Sequence, residues 1–173
     1  MEEAIVTCKS KYDYETLKRF NRFHMYSKPM YKIVTVLAIF LILYAIIVPD
    51  ELIIRLVIGL IGVVWLLEVI FLPVIYSKKA LKTSALQAGA HIIVEFFDKK
   101  VKIETLKGEE TIGNTTLNYS DIYKIYDTKH AIYIYISSNQ AFVCNKANIE
   151  GDYNNLVTML KEKLGKNYKK KGK

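Results

Sequence analysis

IVTVLAIFLILYAIIV at 33–48 and LIIRLVIGLIGVVWLLEVIF at 52–71 lie three residues apart, and the organisation of the whole chain follows from how they are read. The first carries no charge, and Met30 and Tyr31 extend it toward the ~20 residues that cross ~30 Å of hydrocarbon as a helix. The second is long enough alone. Between them, Pro49-Asp50-Glu51 combines a fixed φ with two acids that need water, which is turn chemistry. The pair is read as a transmembrane helical hairpin within 33–75. A secretion signal fits poorly, because the apolar run starts well inside the chain and no small-residue cleavage pattern follows it. A buried soluble hairpin would need apolar cover on all sides, which the rest of the sequence does not supply.

Lys18, Arg19, Arg22, Lys28 and Lys32 precede the first span, Lys78, Lys79 and Lys82 follow the second, and the turn has no cation. By the positive-inside rule this predicts a multi-pass protein of the inner membrane with both termini cytoplasmic. Lys18, Arg19, Arg22, Lys28, Lys78 and Lys79 are the candidates for lipid head-group contact. Two charges fall inside the second span: Arg55 is fourth from its outer end and Glu68 fourth from its inner end, each about 5 Å inside at 1.5 Å per residue. Arg55 is expected to snorkel toward head groups. Glu68 is shorter and is expected to face a helix, another copy or the basic juxtamembrane segment rather than lipid. Gly59 and Gly62 should let the first span approach through Ala38 and Ala45.

The formal charge of +8 invites a nucleic-acid reading, but it is unevenly spread. Residues 83–160 are net −2, while 161–173 are net +6. The excess lies beside the membrane and in a Lys-rich tail, 167–173, read as solvated, so nucleic acid is not an expected partner. Cys8 and Cys144 are the only cysteines; on cytoplasmic segments they are expected to be reduced, isolated thiols.

Residues 1–32 read as a short strand over 4–9 followed by a basic amphipathic helix. Asp13 is its cap, Glu15 lies in its first turn, and the chain turns at Pro29. Pro73 is expected to kink or end the second span, and 76–90 to form a polar linker. Periodicity then changes to two. HIIVEFF (91–97), KVKIETL (100–106), EETIGNTTLNY (109–119), YKIYDT (123–128), HAIYIYIS (130–137) and QAFVCN (140–145) predict an antiparallel meander. GDYNNLVTMLKEKLG (151–165) closes it with a helix whose Leu156, Met159 or Leu160, and Leu164 form one stripe. The fold class is α+β: a two-helix hairpin plus a small curled sheet with a C-terminal capping helix over 91–166.

The arm DYETLKRFNRFHMYSKP before the hairpin and the segment YSDIYKIYDTKHAIYIYISSNQAFVCNK resemble the YcxB-like family of bacterial membrane proteins. Tyr119 stands where that family more often has Trp, and Asn145 where it has Pro. The resemblance implies a cytoplasmic domain that is a small antiparallel, pleckstrin-homology-like β-barrel with a capping helix, and no defined activity.

No HExxH, GxSxG, phosphate-binding loop, GxGxxG or paired CxxC occurs in the sequence. His24, His91 and His130 fall in different elements. No catalytic, cofactor or metal site is assigned, and the protein is not read as an enzyme. Lys99, Lys100 and Lys102 sit where a phosphoinositide-binding loop would lie and are read as hairpin solubility charges. Tyr133, Tyr135, Tyr123 and Tyr126 are the candidate protein-contact residues. The expected function is a non-catalytic, membrane-anchored binding or assembly module, its partners the lipid bilayer and a protein or a second copy. Two alternatives are immunity or stress protection against a membrane-active toxin or bacteriocin, and an accessory subunit of a transporter.

Overall fold

The computed structural model describes residues 3–49, 51–83 and 88–171. Asp50 of the expected turn, residues 84–87 of the expected linker and the last two residues of the expected tail lie outside the described residues. The chain divides into two compact units, one of residues 17–83 and one of 1–16 with 84–173.

The first unit is helical. Helix α1 spans Tyr14–Ser27, α2 Pro29–Ile47 and α3 Leu52–Thr83. Asp13 caps α1 by accepting from the Thr16 amide at 2.9 Å, as expected. Pro29 opens α2 at its first turn, where its missing N–H costs nothing. Helices α2 and α3 are both long and apolar enough to cross a membrane. Their outward side chains are large and apolar: Val36 is 66 % exposed, Phe40 60 % and Ile53 74 %. An exposed apolar surface of this extent marks contact with lipid or with another protein. Gly59 and Gly62 hold the two helices together as the sequence suggests. A Cβ on Gly59 would lie 3.2 Å from the Ala45 Cβ, and one on Gly62 would lie 2.9 Å from the Ala38 carbonyl oxygen.

The second span does not end at Pro73. Helix α3 runs on through it to Thr83, so residues 76–83 of the expected linker are helical. Proline removes the amide that would bond the carbonyl four residues back, here Val69. The Tyr26 hydroxyl of α1 donates to that Val69 oxygen at 3.4 Å instead. One turn on, the Ser77 hydroxyl donates to the Pro73 carbonyl at 2.6 Å and accepts from the Asn21 side chain at 2.9 Å. Polar groups from α1 thus satisfy what the proline leaves open, which is how a proline survives inside a helix in an apolar setting. We expect Tyr26→Phe to lower the unfolding free energy of the detergent-solubilised protein by about 1 kcal/mol, the ordinary net worth of one hydrogen bond, read from its denaturation midpoint. No change in midpoint would count against this contact.

The second unit is built of sheets. Strand β1 (Val6–Lys11) belongs to it, paired between β2 (His91–Phe96) and β8 (Ile149–Gly151); β3 (Lys100–Lys107) and β4 (Glu110–Asn118) complete a five-stranded sheet ordered β4-β3-β2-β1-β8. Residues 1–16, with strand β1, therefore belong to the domain first read as 91–166. A second sheet is ordered β7-β6-β5-β9, from β5 (Lys124–Asp127), β6 (Ala131–Tyr135), β7 (Ala141–Asn145) and β9 (Tyr168–Lys170). The six strands predicted for the meander are present, the strand expected over 4–9 is β1, and β8 and β9 join them. The sheets do not close into a barrel. Strand β9 runs parallel to β5, so the tail expected to be solvated is paired over 168–170. Helix α4 (Tyr153–Leu164), capped by Asp152 accepting from the Asn154 and Asn155 amides, buries Leu156, Met159, Leu160 and Leu164. These meet Val94, Phe96, Ile103, Ile125, Ile132 and Ile134 in one core, each worth about 1.5–3 kcal/mol on burial. Gly151 ends β8 at φ +112°, where a Cβ would come 2.5 Å from the Ile5 carbonyl oxygen.

Cys8 and Cys144 are neither isolated nor reduced. They form a disulfide between β1 and β7 with a Cα separation of 5.7 Å, and both are fully buried. Period-two alternation puts Cys8 inward with Val6 and Ser10, and Cys144 inward beside the register partner Ile132. The Asn145 amide donates to the Ser10 hydroxyl at 2.7 Å along the same seam.

Candidate functional site

In the helical unit the charges sort by position along α2 and α3. Arg55 lies near the turn. Its Nε donates to the Ala45 carbonyl at 2.9 Å and an Nη to the Ile46 carbonyl at 3.1 Å. It closes the open carbonyl end of α2, where a cation also meets the negative pole of the helix. Glu68 is exposed on α3.

At the opposite end, Tyr26, Tyr31 and Tyr76 form an aromatic group; Tyr26 and Tyr31 meet edge-to-face at 6.4 Å and Tyr76 is 50 % exposed. Tyrosine collects where hydrocarbon meets water. Just beyond lie Arg19, Arg22, Lys32, Lys78, Lys79 and Lys82, all exposed, with Lys18 and Lys28 half-buried. Residues 17–32 and 69–83 contain no Asp or Glu, and Glu15 and Glu68 lie just outside them. The Asn21–Ser77 and Tyr26–Val69 bonds tie α1 to α3. His24 stacks on Phe20 at 5.5 Å, and burial first, then the Lys28 charge, holds its pKa below 6.5.

In the sheet unit, one polar cluster was not foreseen. Asp127, 1 % exposed at the end of β5, accepts from the Tyr168 hydroxyl at 2.6 Å and from Tyr153 at 2.8 Å, and forms an ion pair with Lys146. The Lys146 ammonium also lies 4.6 Å from the centre of the Tyr153 ring. Burial alone would raise the carboxyl pKa, but donation from Lys146, Tyr168 and Tyr153 outweighs it and holds the group below 3.8. The two phenols move the other way, raised above 10 by burial and by the carboxylate they bond. The carboxylate is saturated with donors, so the arrangement suits a pin joining β5, α4 and β9 rather than a general base.

The four candidate contact tyrosines separate. Tyr133 and Tyr135 are buried, 2 % and 4 % exposed, which removes them as an open contact surface; β6 is covered on both faces, where one open face was expected. Tyr126 packs edge-to-face on Tyr135 at 5.6 Å, and Tyr123 alone of the four is exposed, at 51 %. Lys102 pairs with Glu104 at 2.6 Å and with Glu95 at 3.9 Å, and Lys100 lies over the Phe97 ring, so the lysines of that hairpin do not converge on an anion. Among the described residues no group of three or more His, Cys, Asp or Glu is placed to hold a metal.

Residues 104–160, from the middle of β3 into α4, match the family model described as YcxB-like protein. The YcxB-like resemblance of the chain is thereby shown for this stretch, which holds Asp127, Lys146 and Tyr153. No curated protein and no solved structure matches the chain.

Proposed function

We propose, from the YcxB-like match and the two long apolar helices, that this chain is a membrane-anchored, non-catalytic binding and assembly module. Its hairpin crosses the inner membrane with both termini in the cytoplasm, and its sheet unit is a pleckstrin-homology-like adaptor. The observation that carries this reading is the one-sided collar. Eight cations and three tyrosines ring one end of α2 and α3, and the other end has only the acidic turn and an arginine already bonded to carbonyls. Such asymmetry sets membrane orientation, and it suits anionic phospholipid head groups, worth about 1 kcal/mol per cation near the surface.

The test has two arms. A reporter fused after Lys173 should be shielded from protease added outside intact cells, and the protein should sediment with membranes. In mixed micelles, retention of an anionic phospholipid should fall about fivefold for each of Arg19, Arg22, Lys78 and Lys79 changed to Gln, as about 1 kcal/mol each requires. Digestion of the reporter from outside would sink the orientation. Retention indifferent to these changes would remove the lipid-binding collar.

A further inference from the structure

Toward the turn, the seam between α2 and α3 opens into a groove of about 410 Å³, lined by Ala45 and Ile46 of α2 and by Leu56, Gly59, Leu60 and Val63 of α3. That volume is in the range of sites that hold small ligands. Among the described residues, Arg55 is the one charged side chain in the lining, and no aromatic ring lines it. From Arg55 to Val63 the groove runs about 12 Å along α3 at 1.5 Å per residue, a slot for an extended apolar chain with a cation near its outer end. Arg55 keeps donors in reserve. Its Nε and one Nη are committed to the Ala45 and Ile46 carbonyls, and its other Nη makes no hydrogen bond among the described residues. Glu51 stands one helical turn farther out, since the Arg55 amide donates to the Glu51 carbonyl at 3.1 Å. No ion pair joins the two: Glu51 is exposed, and its carboxylate has no partner among the described residues.

We propose that this groove seats one acyl chain of an ethanolamine phospholipid, with the lipid phosphate on the second Nη of Arg55 and its ammonium on Glu51. The site rests on the membrane-anchored reading above and lies at the end of the hairpin away from the collar. The order along α3 matches the order along the lipid: an apolar slot, then a cation, then an acid one turn nearer water, against acyl chain, phosphate and ammonium. A guanidinium binds phosphate through charge-assisted hydrogen bonds, and a primary ammonium has three N–H donors for a carboxylate. The charges at this end also select the head group. Asp50 and Glu51 adjoin in sequence, and Arg55 is the one cation between Lys32 and Lys78, so a purely anionic head group is disfavoured there. A quaternary ammonium offers no N–H to Glu51 and is held instead by aromatic faces, which the lining lacks.

The experiment measures retention of phosphatidylethanolamine, phosphatidylcholine and phosphatidylglycerol, all with the same acyl chains, on the full-length protein in mixed micelles. Phosphatidylethanolamine should be held about fivefold more tightly than phosphatidylcholine, the worth of an ion pair at the water boundary. Glu51→Gln should abolish that preference. Leu60→Trp fills the groove from a position 64 % exposed and should lower phosphatidylethanolamine retention by about fivefold or more. On the unaltered protein, phosphatidylethanolamine with a photoreactive acyl chain should label Leu56, Leu60 or Val63. Equal retention of the ethanolamine and choline lipids, a preference that survives Glu51→Gln, retention indifferent to Leu60→Trp, or labelling confined to residues outside 42–63 would each overturn the proposal. So would a dimer that Leu60→Trp converts to monomer, which would seat a second copy in the groove. Phosphatidylglycerol retention, which belongs to the collar, should stay unchanged in both variants. That shows that they fold, and it reads the collar on a different lipid from the groove, while membrane sedimentation and reporter protection test the anchored reading separately.

Discussion

Replacing Asp127 by Ala is expected to destabilise the sheet unit by about 3–5 kcal/mol, because it strands a partly buried ammonium and two buried phenols at once. Lys146 has 20 % of its side chain exposed and loses its anion, while Tyr153 and Tyr168 lose the acceptor at 2.8 and 2.6 Å. The measurement is the denaturation midpoint of the full-length protein in detergent, followed by tyrosine near-ultraviolet dichroism. The cluster also makes a sharper prediction. Asp127→Leu combined with Lys146→Met should cost less than the sum of the two single changes by about 1–3 kcal/mol, since the pair removed together leaves no uncompensated charge. Strict additivity would mean that Asp127 and Lys146 are not coupled.

The same cluster sets a pH dependence. The folded Asp127 has a pKa below its ordinary 3.8, so its contribution is complete above that value and is lost as pH falls through the lower, folded one. Tyr153 and Tyr168 are raised above 10. Their contribution is complete below pH 10 and is lost as pH climbs toward their folded values. Stability should therefore fall at both extremes, and Asp127→Ala should flatten both limbs.

What could be read in the sequence was whatever repeats locally. Hydrophobic runs marked both apolar helices, alternation marked six strands within a residue or two, and small residues at 38, 45, 59 and 62 marked the helix contact. What escaped depended on residues distant in sequence. Pro73 reads as a kink or an end, and sequence does not decide between them because a hydroxyl 47 positions earlier, on Tyr26, is not seen to satisfy Val69. Tyr168 looks like a solvated tail residue until the buried carboxylate that accepts from it is known. One signal was available: Asp127 alternates with Ile125 onto the inward side of β5, and an inward acid needs donors. Tyr133 and Tyr135 taught the opposite lesson, since alternation tells which residues share a face but not whether that face is covered.

The second large effect concerns Cys8 and Cys144. Cys144→Ala is expected to lower stability by about 3–5 kcal/mol relative to the oxidised protein. The residues joined are 136 apart, and closing so long a loop removes much of the freedom of the unfolded chain. The helical hairpin lies inside that loop and, in the membrane-anchored arrangement proposed above, stays ordered when the sheet unit unfolds, which keeps the estimate within the usual range rather than above it. The local consequence is specific. Strand β1 is tied to β7 by this bond and by the Asn145–Ser10 hydrogen bond, so its loss should raise amide exchange over Val6–Lys11 before it does so in β3 or β6. In the cytoplasmic orientation proposed above the chain meets a reducing pool, yet both sulfurs are fully buried, and a thiolate must reach a sulfur to reduce the bond. Reduction should therefore follow opening of β1, and acid-trapped native protein should yield no alkylatable thiol in denaturant until a reductant is also added. Two thiols per chain alkylated at once under native conditions, with Cys144→Ala unfolding at the same midpoint as the parent, would mean that the seam between β1 and β7 holds without the bond.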